Sequence, residues 1–266
     1  MPKNTDKNHR LYRDRVFRAE NVILELDHTL RRVVFEVIGG NHKLFVPLTN
    51  NPFSYLAAHI MWRIMPGNCR FVYLSGIYEK EIDEDLNALA KLMEEHFGEQ
   101  FELIYAPEKC EPLINFLNTI ECETSFDVQM MRDSIVTSYL HSIFIKDKPI
   151  IVNPIDMIFG FINTCYEESK LTIYPLRFLC LFEIILIAEE IGVEKDEIDA
   201  VMCAYEHSAF IKAFKETYDV EDPIKTGKEF RHPINFEGLR QMYPKLYCSQ
   251  PNGTIWTKYH TMYRED

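Results

Sequence analysis

Five groups of residues are of types, and at spacings, that can do chemistry. Asp27 and Glu36 are carboxylates on adjacent predicted strands, and paired carboxylates are what a hard divalent cation needs. Glu183 is the sole charge in the apolar run Phe178–Ala188. Buried there, it would have to be paired or protonated, the condition of many catalytic acids. The sequence favours a narrow solvent stripe shared with Glu190 instead. Cys203 and His207 stand four apart and so share a helix face, where they suit zinc or a thiol and its base. Completing a zinc site would require His232, Cys248 or His260, none at diagnostic spacing, so no tightly bound metal is expected. His59 and Arg63 flank Trp62 on a predicted helix, where they can line a binding pocket beside Asp27. Arg13, Arg15 and Arg18, with Arg10, form a basic patch for a phosphate or an acidic partner; with Leu11, Tyr12, Val16 and Phe17 between them, they also fit a docked amphipathic segment.

Composition narrows the classes. The chain has 266 residues, 47% hydrophobic and 26% charged, which is ordinary for a globular protein. Its formal net charge of −12 disfavours nucleic acid and anionic membranes, both of which attract basic surfaces. The 10 glycines argue against a glycine-rich phosphate cradle. The 7 cysteines include no CxxC pair, and MPKNTDKNHR carries no apolar signal core. A cytoplasmic protein without disulfides is therefore expected. No motif assigns a cofactor.

The elements that must position these residues follow from periodicity. Val22–Asp27, Val33–Ile38 and Lys43–Leu48 read as strands, with Gly39-Gly40-Asn41 as a hairpin turn and Pro47 marking either an edge strand or the end of its strand. Asn51-Pro52 opens a helix that stops at Pro66-Gly67. Arg70–Leu74 is a strand, and Ser75-Gly76 turns into a helix from Glu79 to Phe97. Such a turn can hold phosphate, but Glu79, Glu81, Asp83, Glu84 and Asp85 would repel an anion and suit the helix dipole instead. Phe101–Ala106 is a further strand. Helices are then predicted over Glu108–Ile120, Phe126–Ile145, Pro154–Glu168, Pro175–Ile191 and Lys195–Tyr218, with Ile150–Val152 a strand among them. The run Tyr174–Gly192 reads as the central core helix, burying Leu179, Phe182, Leu186 and Ile187. From Asp219 the chain reads as irregular, with a hairpin signal at Pro251-Asn252-Gly253.

The resulting fold class is α+β: an N-terminal mixed sheet with packed helices, then a mainly helical half. Residues 1–20 form a basic segment, 21–122 the sheet-bearing half, 123–218 the helical half and 219–266 the irregular end. The order strand-strand-strand-helix-strand-helix-strand over residues 22 to 106 resembles the ribonuclease H-like fold in topology. That resemblance implies a metal-holding carboxylate at Asp27, although Leu74-Ser75-Gly76 stands where the family has its second acid. Two functions are thereby in view. One is a cytoplasmic, acidic protein-interaction or inhibitor-type binding protein without catalysis, with another protein as partner. The other is a metal-dependent phosphodiester hydrolase, or a degenerate relative of one. From the net charge we predict weak affinity for duplex DNA at physiological salt; tight binding with a steep salt slope in a filter-binding assay would overturn this.

Overall fold

The apolar run Leu44–Leu48 is buried at every position and forms strand β1. A strand covered on both faces needs a continuous apolar run rather than alternation, and its neighbours are then usually parallel. The computed structural model describes residues 15–17, 19–32, 42–78, 80–105, 125–153, 172–176, 179–231 and 263–265, with 112, 115 and 119. Helix α1, Ala19–Arg31, precedes β1. Helix α2, Phe53–Ile64, strand β2, Cys69–Ser75, helix α3, Lys80–Phe97, and strand β3, Phe101–Tyr105, follow it. Then come helix α4, Ser125–Ile143, and strands β4, Ile150–Val152, and β5, Thr172–Ile173. Four helices follow: α5, Leu181–Glu190; α6, Lys195–His207; α7, Ala209–Tyr218; and α8, Pro223–Arg231.

The five strands form one sheet in the order β3-β2-β1-β4-β5. Every pairing in it is parallel. Helices cover both of its faces. Phe45 meets Phe144, just past α4, at a ring-centroid distance of 4.5 Å. Val46, one residue on and so on the other face, is in register with Phe71, which stacks on Phe97 of α3 at 3.9 Å. This is a doubly wound α/β sheet: strand order runs outward from β1 in one direction, then reverses to β4 and β5. The expected mixed sheet with ribonuclease H-like topology is therefore corrected to an all-parallel α/β fold. Arg15–Phe17 and Tyr263–Glu265 pair separately as a short antiparallel ribbon.

Several local expectations also change. Val22–Asp27 lies inside α1. Val22, Leu26 and Leu30 are buried at four-residue steps while Leu24 is 67% exposed, so helical periodicity overrides the apparent alternation. Pro47 sits in the central strand and not at an edge, but next to last in it, the other of the two places open to it. The registered pairs with β4 end at Phe45, so its missing N–H falls beyond that ladder. Helix α5 begins at Leu181 rather than Pro175. Leu179 and Ile187 are buried as expected, but Phe182 is only partly so and Leu186 is 40% exposed. The long helix over Lys195–Tyr218 is two helices, because Ser208 Oγ accepts the Ile211 N–H at 3.3 Å and caps α7. Strand β5 and helix α8 have no counterpart in the sequence reading. Val33–Ile38, the Gly39–Asn41 turn, Pro154–Glu168 and the Pro251–Gly253 turn lie outside the described residues, as does most of Glu108–Ile120.

Among the described residues, Cys69, Cys180 and Cys203 are free thiols, and no helix is long and apolar enough to cross a membrane. Phe71 is fully buried in its stack on Phe97. Phe71→Ala should cost about 3–5 kcal/mol in denaturant unfolding, from lost transfer energy plus a cavity. Leu186→Ala should stay within about 0.5 kcal/mol of the parent.

Candidate functional site

A doubly wound sheet leaves a crevice where its strand order reverses, outside the carboxyl ends of the two strands involved. Here those strands are β1 and β4. The residues that follow β1 are Thr49, Asn50 and Asn51, with exposures of 5%, 1% and 2%. Three uncharged polar residues buried in succession must find partners locally, because an unpaired buried polar group is costly.

The loop satisfies most of its own backbone. Thr49 N–H donates to Ser54 Oγ at 3.0 Å, and Asn51 N–H to Thr49 Oγ1 at 3.3 Å. Phe53 N–H donates to Asn51 Oδ1 at 3.1 Å, an Asx turn that leads through Pro52, the residue at the cap position, into α2. Asn50 ties the loop to two other elements. Its Nδ2 donates to Gln129 Oε1 of α4 at 2.5 Å, and its carbonyl accepts Ser208 Oγ at 2.7 Å from the α6–α7 break. Two buried atoms here lack a hydrogen-bond partner: Asn50 Oδ1 and Asn51 Nδ2.

Charge lies close by. Arg132 of α4, one turn past Gln129, is 8% exposed. Asp133 accepts the Tyr78 hydroxyl at 3.1 Å. Burial pushes the Asp133 carboxyl up to about 7, against the opposing pull of that hydrogen bond. Burial and the Asp133 charge hold the Tyr78 phenol well above its ordinary value. A small cleft runs from Asn50 and Pro52 toward Asp85, Leu86 and His207. The site thus offers an amide acceptor and an amide donor, with a carboxyl that titrates near neutrality close by.

Of the candidate residues singled out in the sequence, His207 lines this cleft, and the others that are described lie elsewhere. Asp27 is on α1, half-exposed, where it accepts Arg31 Nε at 2.6 Å. An exposed pair four residues apart is worth about 0–1 kcal/mol and is a surface feature. Glu183 is fully buried, and not on a solvent stripe. Its Oε2 accepts the Cys180 N–H at 2.8 Å, which makes it half of a capping box at the start of α5. Cys203 and His207 are exposed on α6, with His207 Nδ1 3.1 Å from Asp85 Oδ2. Arg63 is exposed and His59 buried on α2. Arg15 lies in the terminal ribbon. Glu36, Arg13 and Arg18, and with them His232, Cys248 and His260, lie outside the described residues. The sequence reading missed Asn50, Gln129 and Asp133 and took Asn51 only as a helix cap. The available signal was three polar residues directly after an all-apolar strand.

No known protein family matches the chain, and no curated protein matches it in sequence. Among solved structures it is similar to the NH3-dependent NAD synthetase from Campylobacter jejuni subsp. jejuni, in complex with the nitrate ion. The two are 13% identical, the alignment covers 84% of this chain and 97% of that one, and the TM-score is 0.52. It is also similar to NMN synthetase from Francisella tularensis, at 12% identity, 84% and 97% coverage and a TM-score of 0.51. At such identity the likeness is one of fold. It overturns both functions drawn from the sequence, since the sheet is that of two synthetases. Neither the non-catalytic interaction protein nor the phosphodiester hydrolase on a ribonuclease H-like sheet is retained.

Asp133 makes a pH dependence predictable. Its folded-state value of about 7 exceeds the ordinary 3.8, so the folded chain holds a proton that the unfolded chain has lost. Its contribution is therefore full at low pH and is lost as pH rises toward 7. Relative to the parent, Asp133→Asn should gain stability by about 1 kcal/mol or more between about pH 4.5 and about pH 7.5 in urea unfolding.

Proposed function

We propose that this chain is an enzyme acting on a nucleotide-type substrate bound at the carboxyl edge of its sheet, between β1 and β4. The observation that carries this reading is the pair of buried amide atoms, Asn50 Oδ1 and Asn51 Nδ2, without partners at the strand-order reversal. Each such atom costs about 1–3 kcal/mol when left unmade, and a ligand offering one donor and one acceptor satisfies both. Arg132 adds a guanidinium for an anionic group such as phosphate or carboxylate. Asp133, titrating near neutrality, is suited to hold or release a proton.

The names of the two solved synthetases support the substrate class. One makes NAD and the other NMN, both nucleotides. The reaction class that fits is a synthetase-type joining of a nucleotide to a second substrate. This chain would achieve its phosphate contacts in its own way. Residues Leu48 to Ser54 contain no glycine. The amides of Thr49, Asn51 and Phe53 are already bonded within the loop. Phosphate recognition would therefore rest on side chains, Asn51 and Arg132 foremost, rather than on a cradle of free amides.

The test is thermal stabilisation and calorimetry with ATP, AMP, NAD and NMN, each alone. At least one should raise the melting temperature of the parent, and Asn51→Ala should weaken that ligand about tenfold or more. If none of the four stabilises the parent, the reading fails.

A further inference from the structure

A second cluster lies away from the carboxyl edge, where α2, α3 and α6 meet. Tyr55 and His59 are four apart on α2 and face the same way, with ring centroids 4.8 Å apart. His96, in the last turn of α3, presents its ring edge-to-face to His59 at 4.8 Å. Glu197 enters from the first turn of α6. One of its oxygens accepts the Glu194 N–H at 3.1 Å in a capping box. The other accepts both the Tyr55 hydroxyl and His96 Nε2, the latter at 2.6 Å. Phe97, 5.0 Å from His59, packs against its ring.

One ligand atom from each of His59, His96 and Glu197 lies within 4.8 Å of the other two. His59 is 7% exposed and Glu197 6%, whereas the His96 side chain is 44% exposed. His59 Nε2 is buried without a hydrogen-bond partner. A packed core has no reason to leave an imidazole nitrogen orphaned next to a carboxylate and a second imidazole. We infer that His59, His96 and Glu197 form a site for a divalent transition metal of the zinc class.

The chemistry fits. Two imidazoles and a carboxylate are a common zinc donor set, with a fourth position left for water. His96 would carry its proton on Nδ1 and give Nε2 to the metal. Tyr55, bonded to the Glu197 oxygen, orients that ligand from behind. The donors come from three helices, with His96 and Glu197 101 positions apart, so no local spacing announces them.

The test uses the full chain, stripped with a chelator and titrated with Zn2+ against a fluorescent competitor. The parent should bind a single equivalent. His96→Ala, at an exposed position that leaves the core intact, and His59→Ala should each weaken binding about tenfold or more. Cys203→Ser should bind like the parent, since it alters the exposed Cys203–His207 face. Zn2+ should raise the melting temperature of the parent and not that of His96→Ala. Absence of binding by the parent, unchanged binding by His96→Ala, or loss of binding in Cys203→Ser overturns the assignment. Should His59→Ala fail to fold, His96→Ala decides.

Discussion

The architecture depends on one constraint, that β1 is buried on both faces. Leu44 to Leu48 have nowhere to place a polar side chain, so helices must cover the sheet on each side. Phe45 and Phe71, on opposite faces, each find an aromatic partner, Phe144 just past α4 and Phe97 on α3. The strand order then runs outward through β2 and β3 on one side and through β4 and β5 on the other. The reversal of strand order at β1 opens the crevice, and the first residues past β1 line it. A buried apolar strand thus dictates where buried polar residues must appear.

Those polar residues show how a loop can be rigid without glycine. Thr49, Asn51 and Ser54 turn their side chains back on the backbone, and Asn50 anchors the loop to α4 and to Ser208. The anchoring uses all but two of the side-chain amide atoms of the asparagine pair, which leaves one acceptor and one donor. A rigid, nearly satisfied loop with two orphaned atoms is preorganised for a ligand that completes it. The cluster of His59, His96 and Glu197 has the same logic at another place: a network that is complete but for one buried nitrogen.

Much of the frame is legible in the residues. Leu44–Leu48 announces a strand, and Asn51-Pro52 and Pro66-Gly67 bracket α2. The repeat Leu86, Leu89, Met93 gives the buried stripe of α3. The errors are physical rather than random. Val22–Asp27 satisfies an alternating pattern over six residues as well as a helical one, and only burial at Val22, Leu26 and Leu30 discriminates. Strand β5 is two residues long, too short for any period to register. At Glu183 the apolar run conceals a local role, a cap formed with the Cys180 backbone. The fold class failed because parallel pairing is decided by crossovers between distant segments, and the site failed because its groups converge only after that pairing. Asn50 and Gln129 are 79 positions apart, and Tyr78 and Asp133 are 55 apart.

The central claim is that the carboxyl edge between β1 and β4 is where this chain meets its substrate. The most direct measurement follows the side-chain amide NMR resonances of Asn50 and Asn51 while ATP is added. If the claim holds, these two resonances shift together in a saturable way, while those of Asn87 on α3 stay in place. Saturable shifts confined to other residues, with Asn50 and Asn51 unmoved, would contradict it.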